Sequence, residues 1–197
     1  MDHETALSKA KDIADRILAP AAGQNDKDGR FSSEAIAALG SSGLLAMTLP
    51  AEAGASALGP RTLAAVIAML AEADASAAMV YLMHMCATAT IAAARTGADV
   101  GQTLKDISTG KHLTTLAFSE AGSRSHFWAP VSRAKQSGTN VRITAKKSFV
   151  TSAGHAHRPT ARGRRIQLSI LLRPAIPDYR SQAPGMVLAC AQTHPRR

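Results

Sequence analysis

The chain has 197 residues, 46% of them hydrophobic, enough for one ordinary domain or two small ones with a real core; disorder throughout is excluded. Its two cysteines, Cys86 and Cys190, lie far apart without C-x-x-C or metal-ligand spacing, so neither a disulfide framework nor a zinc site is expected, and a reducing, cytoplasmic setting fits. The net charge of +9 would suggest a polyanion partner, but residues 1–156 hold 15 Lys/Arg against 13 Asp/Glu, and the last 41 residues hold eight Arg against one acid, Asp178.

The opening MDHETALSKAKD mixes charges without an apolar run, so no signal peptide is expected. Ala6, Leu7, Ala10, Ile13, Ala14, Ile17 and Leu18 then recur at three and four, which predicts an amphipathic helix ending before Pro20. A short second helix is expected from Ser32 as N-cap to Gly40 as stop, with Phe31 placed to staple onto Ile36. Residues 43–60 form an apolar entry into a Gly/Ala-rich loop, and Pro60 suits the first turn of a third helix, Arg61 to Glu72. Glu72 and Asp74 stand two apart and read as a helix terminus, not as an acid and base pair.

The nearly continuous apolar run Ala75 to Ala94 makes a fourth helix, long enough to span a bilayer. It is Ala-rich and carries Tyr81, His84, Thr88 and Thr90, so a helix buried on all sides within a bundle is expected, and no membrane partner. Met83, His84, Met85 and Cys86 within it are ligand-type side chains, yet consecutive helical residues point in different directions, so no metal site is predicted. Asp99 to Thr109 is a fifth, polar helix stopped by Gly110.

Beyond Gly110 the period changes from about 3.6 to about 2. Leu113 to Ser119 reads as a buried strand, and Glu120 to Ser125 as a loop of small residues whose N–H groups can approach a pyrophosphate. Phe127 to Lys135 and Val141 to Thr151 read as a strand pair across the five-residue connection Gln136 to Asn140. Helices first and strands afterwards mean an α+β fold: an N-terminal all-helical bundle over 1–111, then a partial antiparallel β-domain over 112–156. Residues 157–197 are a basic tail with five of the nine prolines and no lysine, expected to be poorly ordered. It reads either as an out-of-frame stretch or as a natural extension in which Ile166 to Leu172 can still form a strand. Aromatic stacking partners are missing there apart from Tyr179, so no specific nucleic acid is expected.

SEAGSRS at 119–125, followed by AKKSFVTSAG at 145–154, resembles in order the two flavin-binding signatures of the acyl-CoA dehydrogenase family. The first usually reads (T/S)-E-P-x-x-G-S-D; Ser119, Glu120, Gly122 and Ser125 match it, while Ala121, Arg124 and His126 depart. Arg124 replaces a Gly, and it either strains the backbone there or reaches a phosphate. Residues 43–60 also resemble the family's G-L-hydrophobic-x-(V/L)-P-E-x-G-G loop, with Ala55 where a Gly is expected. The resemblance implies FAD as cofactor. Phe118 and Ser119 would contact the isoalloxazine, Ser125 the pyrophosphate, and Phe149, Val150 and Thr151 the ring and its N5 side. A flat apolar cofactor with a polar rim needs such a wall and a few fixed donors.

The implied reaction is α,β-dehydrogenation of an acyl-CoA thioester, an oxidation at CH–CH with hydride passing to FAD, in homo-oligomeric enzymes of fatty acid metabolism. In the family the catalytic Glu, further flavin contacts and the oligomer surface come from a C-terminal helical domain. The pattern here stops after Ala156, so the expectation is a truncated or frameshifted chain, inactive alone and lacking the usual interface, with no catalytic residue assigned and Glu120 a loop residue. Two other readings stand beside it. One is a fragment of a flavin-dependent monooxygenase of the same fold, kept alive by His126 and the aromatic run HFWAP; the other is a non-catalytic basic binding protein using the tail.

Overall fold

The computed structural model describes residues 1–93, 98–117, 119, 120, 122, 131–137, 140–143, 147–153 and 155. The first helix does not end before Pro20: α1 (His3–Ile13) enters a π-helical turn, Ala14–Leu18, and continues as α2 (Ala19–Asp28). A proline in a regular helix lacks an N–H and crowds the carbonyl four residues back, which is why an ending was expected. The wider π-turn, closed by the Ala19 N–H on the Ala14 carbonyl, makes room ahead of Pro20, and the helix resumes.

Ser32 takes the N-cap position of α3 (Ser33–Ser41), but its hydroxyl donates to Asp74 Oδ2 at 3.2 Å and caps nothing. Asp74 is the residue between α4 (Pro60–Ala73) and α5 (Ala75–Ala93), and its Oδ1 accepts the Ala77 N–H at 3.0 Å, capping α5. The helix terminus expected at Glu72 and Asp74 is therefore present, and it also ties α3 to the α4–α5 corner. Phe31 packs against the main core cluster, to which Ile36 belongs.

That cluster joins α1, α3, α4 and α5 through Ala10, Leu39, Val66, Leu70 and Met85, with Leu44 and Leu45 of the 3-10 turn Leu44–Ala46. A smaller one unites Ala46, Leu49, Ile91 and Ile107, bringing in α6 (Ala98–Ser108). α5 is buried on one face only, correcting the expectation of burial all round. Ala77, Tyr81, His84, Thr88 and Ile91 turn inward, while Met79, Cys86 and Ala89 lie outside, with Met79 50% exposed. His84 and Cys86 of the Met-His-Met-Cys run thus point apart. By length and composition α5 passes as a membrane-crossing helix, yet its inner face carries core packing.

The 43–60 loop folds back on itself, with the Ala57 N–H on Leu49 O at 2.9 Å and the Leu58 N–H on Met47 O at 2.8 Å. Ala55 is not among the positive-φ residues and packs on the smaller cluster, so the absent Gly does no harm there. The strained position is Ala57, exposed at φ 51. The left-handed backbone costs an L-residue about 1–2 kcal/mol, part of which glycine forfeits as unfolded-state entropy. Ala57→Gly is expected to stabilise the chain by about 0.5 kcal/mol, read as a higher midpoint in urea. A lower midpoint would show that the loop relaxes elsewhere in solution.

Gly40 does not stop α3, which runs on to Ser41. It is small because Gly110, at φ 71, lies against it: a Cβ on Gly110 would meet the Gly40 carbonyl at 2.6 Å, and one on Gly40 would meet Gly110 O at 2.9 Å. This backbone contact fixes the end of α6 against α3 and turns the chain inward at Lys111.

Two short strands follow, β1 (Ala134–Ser137) and β2 (Asn140–Ile143), antiparallel with Ala134 opposite Ile143 and Ser137 opposite Asn140. Their connection is two residues where five were expected. The described parts of the predicted strands are shorter too. Phe127–Lys135 is described only from Val131 and pairs from Ala134, and Val141–Thr151 does not run through as one strand, because Phe149 takes φ 51. The tail, 157–197, lies outside the described residues.

Candidate functional site

Residues 112–117 pass into the interior after Gly110 and are all buried. The strand expected at Leu113–Ser119 has no ladder among the described residues. Its polar groups are matched singly instead. The Thr114 N–H donates to His84 Nδ1 at 3.0 Å, and the Thr114 hydroxyl donates to the His84 carbonyl at 3.1 Å. The Thr115 hydroxyl reaches Thr151 O at 2.7 Å. An amide can only donate and a carbonyl only accept, so His84 Nδ1 is unprotonated and its Nε2–H donates to Leu45 O at 2.8 Å. Tyr81 adds a bond from its hydroxyl to Leu44 O at 3.0 Å. α5 thereby carries the 3-10 turn on one side and the approach to the site on the other.

The next residues bring the two motifs side by side. The Ser148 N–H donates to Ser119 O at 2.9 Å, and Glu120 and Lys147 form an antiparallel bridge. Their side chains pair as well, 3% and 2% exposed, with Lys147 Nζ on Glu120 Oε1 at 2.5 Å. Glu120 Oε2 accepts the N–H groups of Val131 and Ser132, each at 2.7 Å. Burial alone would push this carboxyl up; the bonds from Lys147, Ser132 and Val131 outweigh it and hold the group at about 2, an anion at any ordinary pH.

From this anchored base Phe149 projects into solvent, 95% exposed and at φ 51. An exposed aromatic on left-handed backbone gains nothing from burial, and such strain of about 1–2 kcal/mol persists where the surroundings impose it, commonly at ligand contacts. Val150 and Thr151 follow half-buried, and the Ser152 hydroxyl is buried without a hydrogen-bond partner among the described residues. Beyond them His155 stacks on Phe31, ring centroids 3.9 Å apart and planes 6° from parallel, fastening the segment to the helical layer.

Ser119, Phe149, Val150 and Thr151 are thus gathered along one edge, while Phe118 and Ser125, with Arg124 and His126, lie outside the described residues. An apolar ring face and an unpaired hydroxyl suit a flat cofactor with a polar rim. Among the described residues no three His, Cys, Asp or Glu side chains gather as a metal site. Sequence reasoning missed the roles of Glu120, Lys147, Thr115 and His84. One signal was present: Glu120 is the single acid between Asp106 and Asp178, at the end of an apolar stretch, where a carboxylate needs a partner. Nothing in the sequence separates Lys147 from Lys146 as that partner.

The family model for the acyl-CoA dehydrogenase N-terminal domain matches residues 1–111. Probable acyl-CoA dehydrogenase FadE25 of Mycobacterium tuberculosis is 27% identical over 153 residues, 78% of this chain and 39% of that protein. Butyryl-CoA dehydrogenase from Megasphaera elsdenii has a similar structure, with a TM-score of 0.70 at 21% identity over 79% of this chain and 44% of the other. The FAD complex of PigA has a TM-score of 0.68 at 20% identity, over 79% of this chain and 43% of that one. These structural likenesses carry the fold alone, and the chain spans 39% of the length of the curated relatives it matches. The match across the whole helical layer, from α1 to the turn at Gly110, makes this chain a member of the acyl-CoA dehydrogenase family.

Proposed function

We propose that the chain supplies the helical layer, residues 1–111, and one wall of the FAD site, within 112–156, of an acyl-CoA dehydrogenase-type oxidoreductase. The observation that carries this reading is Phe149, bare to solvent on left-handed backbone and set beside Ser119 by the Ser148 N–H. Its ring offers a stacking face, Thr151 and Ser152 offer hydroxyls next to it, and Ser119 lies across from them. FAD, when bound, supplies a hydride acceptor for a CH–CH bond beside an acyl-CoA carbonyl; the names of butyryl-CoA dehydrogenase and of the PigA FAD complex support that substrate class and that cofactor. We assign no catalytic base among the described residues, because Glu120 is engaged by Lys147 and two amides.

One wall encloses too little of a cofactor that pockets normally bury by 70–90% or so. The 197-residue chain on its own is therefore expected to purify colourless, to bind added FAD weakly, and to leave acyl-CoA unchanged with an artificial electron acceptor. Phe149→Ala should weaken that binding by roughly five-fold, the worth of about 1 kcal/mol of ring stacking. The melting temperature should not move, because the ring is solvated already. Stoichiometric FAD in the purified chain, with turnover of an acyl-CoA, would sink the one-wall reading. Equal FAD affinity with and without the Phe149 ring would remove this residue from the site.

A further inference from the structure

We propose that Glu120 and Lys147 are positioning residues of the flavin wall, a buried clamp that presets the backbone of Phe149 without touching the ligand. The identity of that ligand rests on the reading above; the clamp itself rests on geometry. Glu120 joins three stretches distant in sequence: its own at 119–120, the Val131 and Ser132 amides, and Lys147. Phe149 follows two residues after Lys147, and its left-handed backbone is held from both sides. Before it stand the Glu120–Lys147 bridge and the Ser148 bond to Ser119 O; after it, the Thr115 hydroxyl bonds to Thr151 O. A strained conformation survives only when its surroundings over-determine it in this way. The pairing also defines what each group is not available for. Lys147 is neutralised in the interior, 2% exposed, and does not serve the cofactor's phosphates.

The test uses the whole chain in four forms: unsubstituted, Glu120→Gln, Lys147→Gln and the charge exchange Glu120→Lys with Lys147→Glu. Amide hydrogen exchange is read without flavin. Glu120→Gln should speed exchange at Val131, Ser132 and Ser148 together, by roughly ten-fold or more. Lys147→Gln should speed it at Ser148 while Val131 and Ser132 keep much of their protection, since the carboxylate remains. The charge exchange restores an ion pair but should not restore Val131 and Ser132, because an ammonium cannot accept from an amide. Recovery there, or unchanged exchange in Glu120→Gln, would overturn the clamp; if Glu120→Gln does not fold, Lys147→Gln carries the comparison.

FAD is then titrated by flavin fluorescence into each folded form. Glu120→Gln and Lys147→Gln should bind roughly ten-fold more weakly than the unsubstituted chain at equal folded fraction. Equal affinity would make the clamp a fold element with no role in positioning. If the unsubstituted chain takes up no FAD at any concentration, the flavin reading fails, and the exchange data decide the clamp separately.

Discussion

Replacing Gly110 by alanine is expected to cost about 3 kcal/mol or more, the largest effect of an added methyl at any of the described glycines. Two penalties act on the same atom. Gly110 sits at φ 71, where an L-residue costs about 1–2 kcal/mol. Its new Cβ would also lie 2.6 Å from both the carbonyl carbon and oxygen of Gly40, backbone atoms that no rotamer change can move aside. Overpacking of that kind adds about 1–3 kcal/mol. For a chain of this length the melting temperature should fall by roughly 6–12 °C. Gly40→Ala should cost less, since its Cβ at 2.9 Å from Gly110 O needs a smaller shift and its backbone is already helical. The double variant should cost less than the two singles together, because a gap opened for one methyl serves the other. Urea titrations of the three variants read all of this. A loss below about 1 kcal/mol for Gly110→Ala would mean that the α3–α6 contact opens freely, and strict additivity would mean that the two glycines do not share it.

The same contact shows what a sequence can carry. Periodicity found the helices from Ala6 to Leu18, from Arg61 to Glu72 and from Ala75 onward, because apolar residues at three and four spacing need a buried face whatever packs on it. It marked Gly40 as a stop, since glycine does end helices, and had no means to see a second glycine 70 residues on requiring the space. Pro20 misled for a related reason: the local rule is sound, and the chain satisfied it with a π-turn instead of an ending. At the site, ordered motifs brought Ser119 and Phe149 to notice, yet their meaning lay in long-range pairs. The run at Leu113–Ser119 looked like a strand because it is apolar; its Thr114 N–H is taken by His84, and its Thr115 hydroxyl crosses to Thr151, contacts that no alternation encodes.

His84 is where those long-range demands meet, and removing it is expected to be nearly as damaging as Gly110→Ala while leaving a distinct signature in pH. His84→Leu fills similar space but abandons the Thr114 N–H and the Leu45 carbonyl, both buried and both bonded only to the ring among the described contacts. Each unpaired group costs about 1–3 kcal/mol. In the unsubstituted chain burial pushes the ring's pKa down to about 4, with the neighbouring His112 adding to the effect and the Leu45 carbonyl opposing it. The unfolded chain, near 6.5, takes up its proton first as pH falls. Stability should therefore be flat in this group above 6.5, decline by about 3 kcal/mol between 6.5 and 4, and level off below. Glu120 acts in a lower window with the opposite charge. Its contribution is complete above its ordinary value of 4.5 and is lost as pH falls toward about 2. Urea midpoints measured from pH 8 to pH 3 should show the two declines in succession. In His84→Leu the upper one should vanish and the one below 4.5 remain, so an unchanged slope between 6.5 and 4 in that variant would mean that the ring is not the group being titrated.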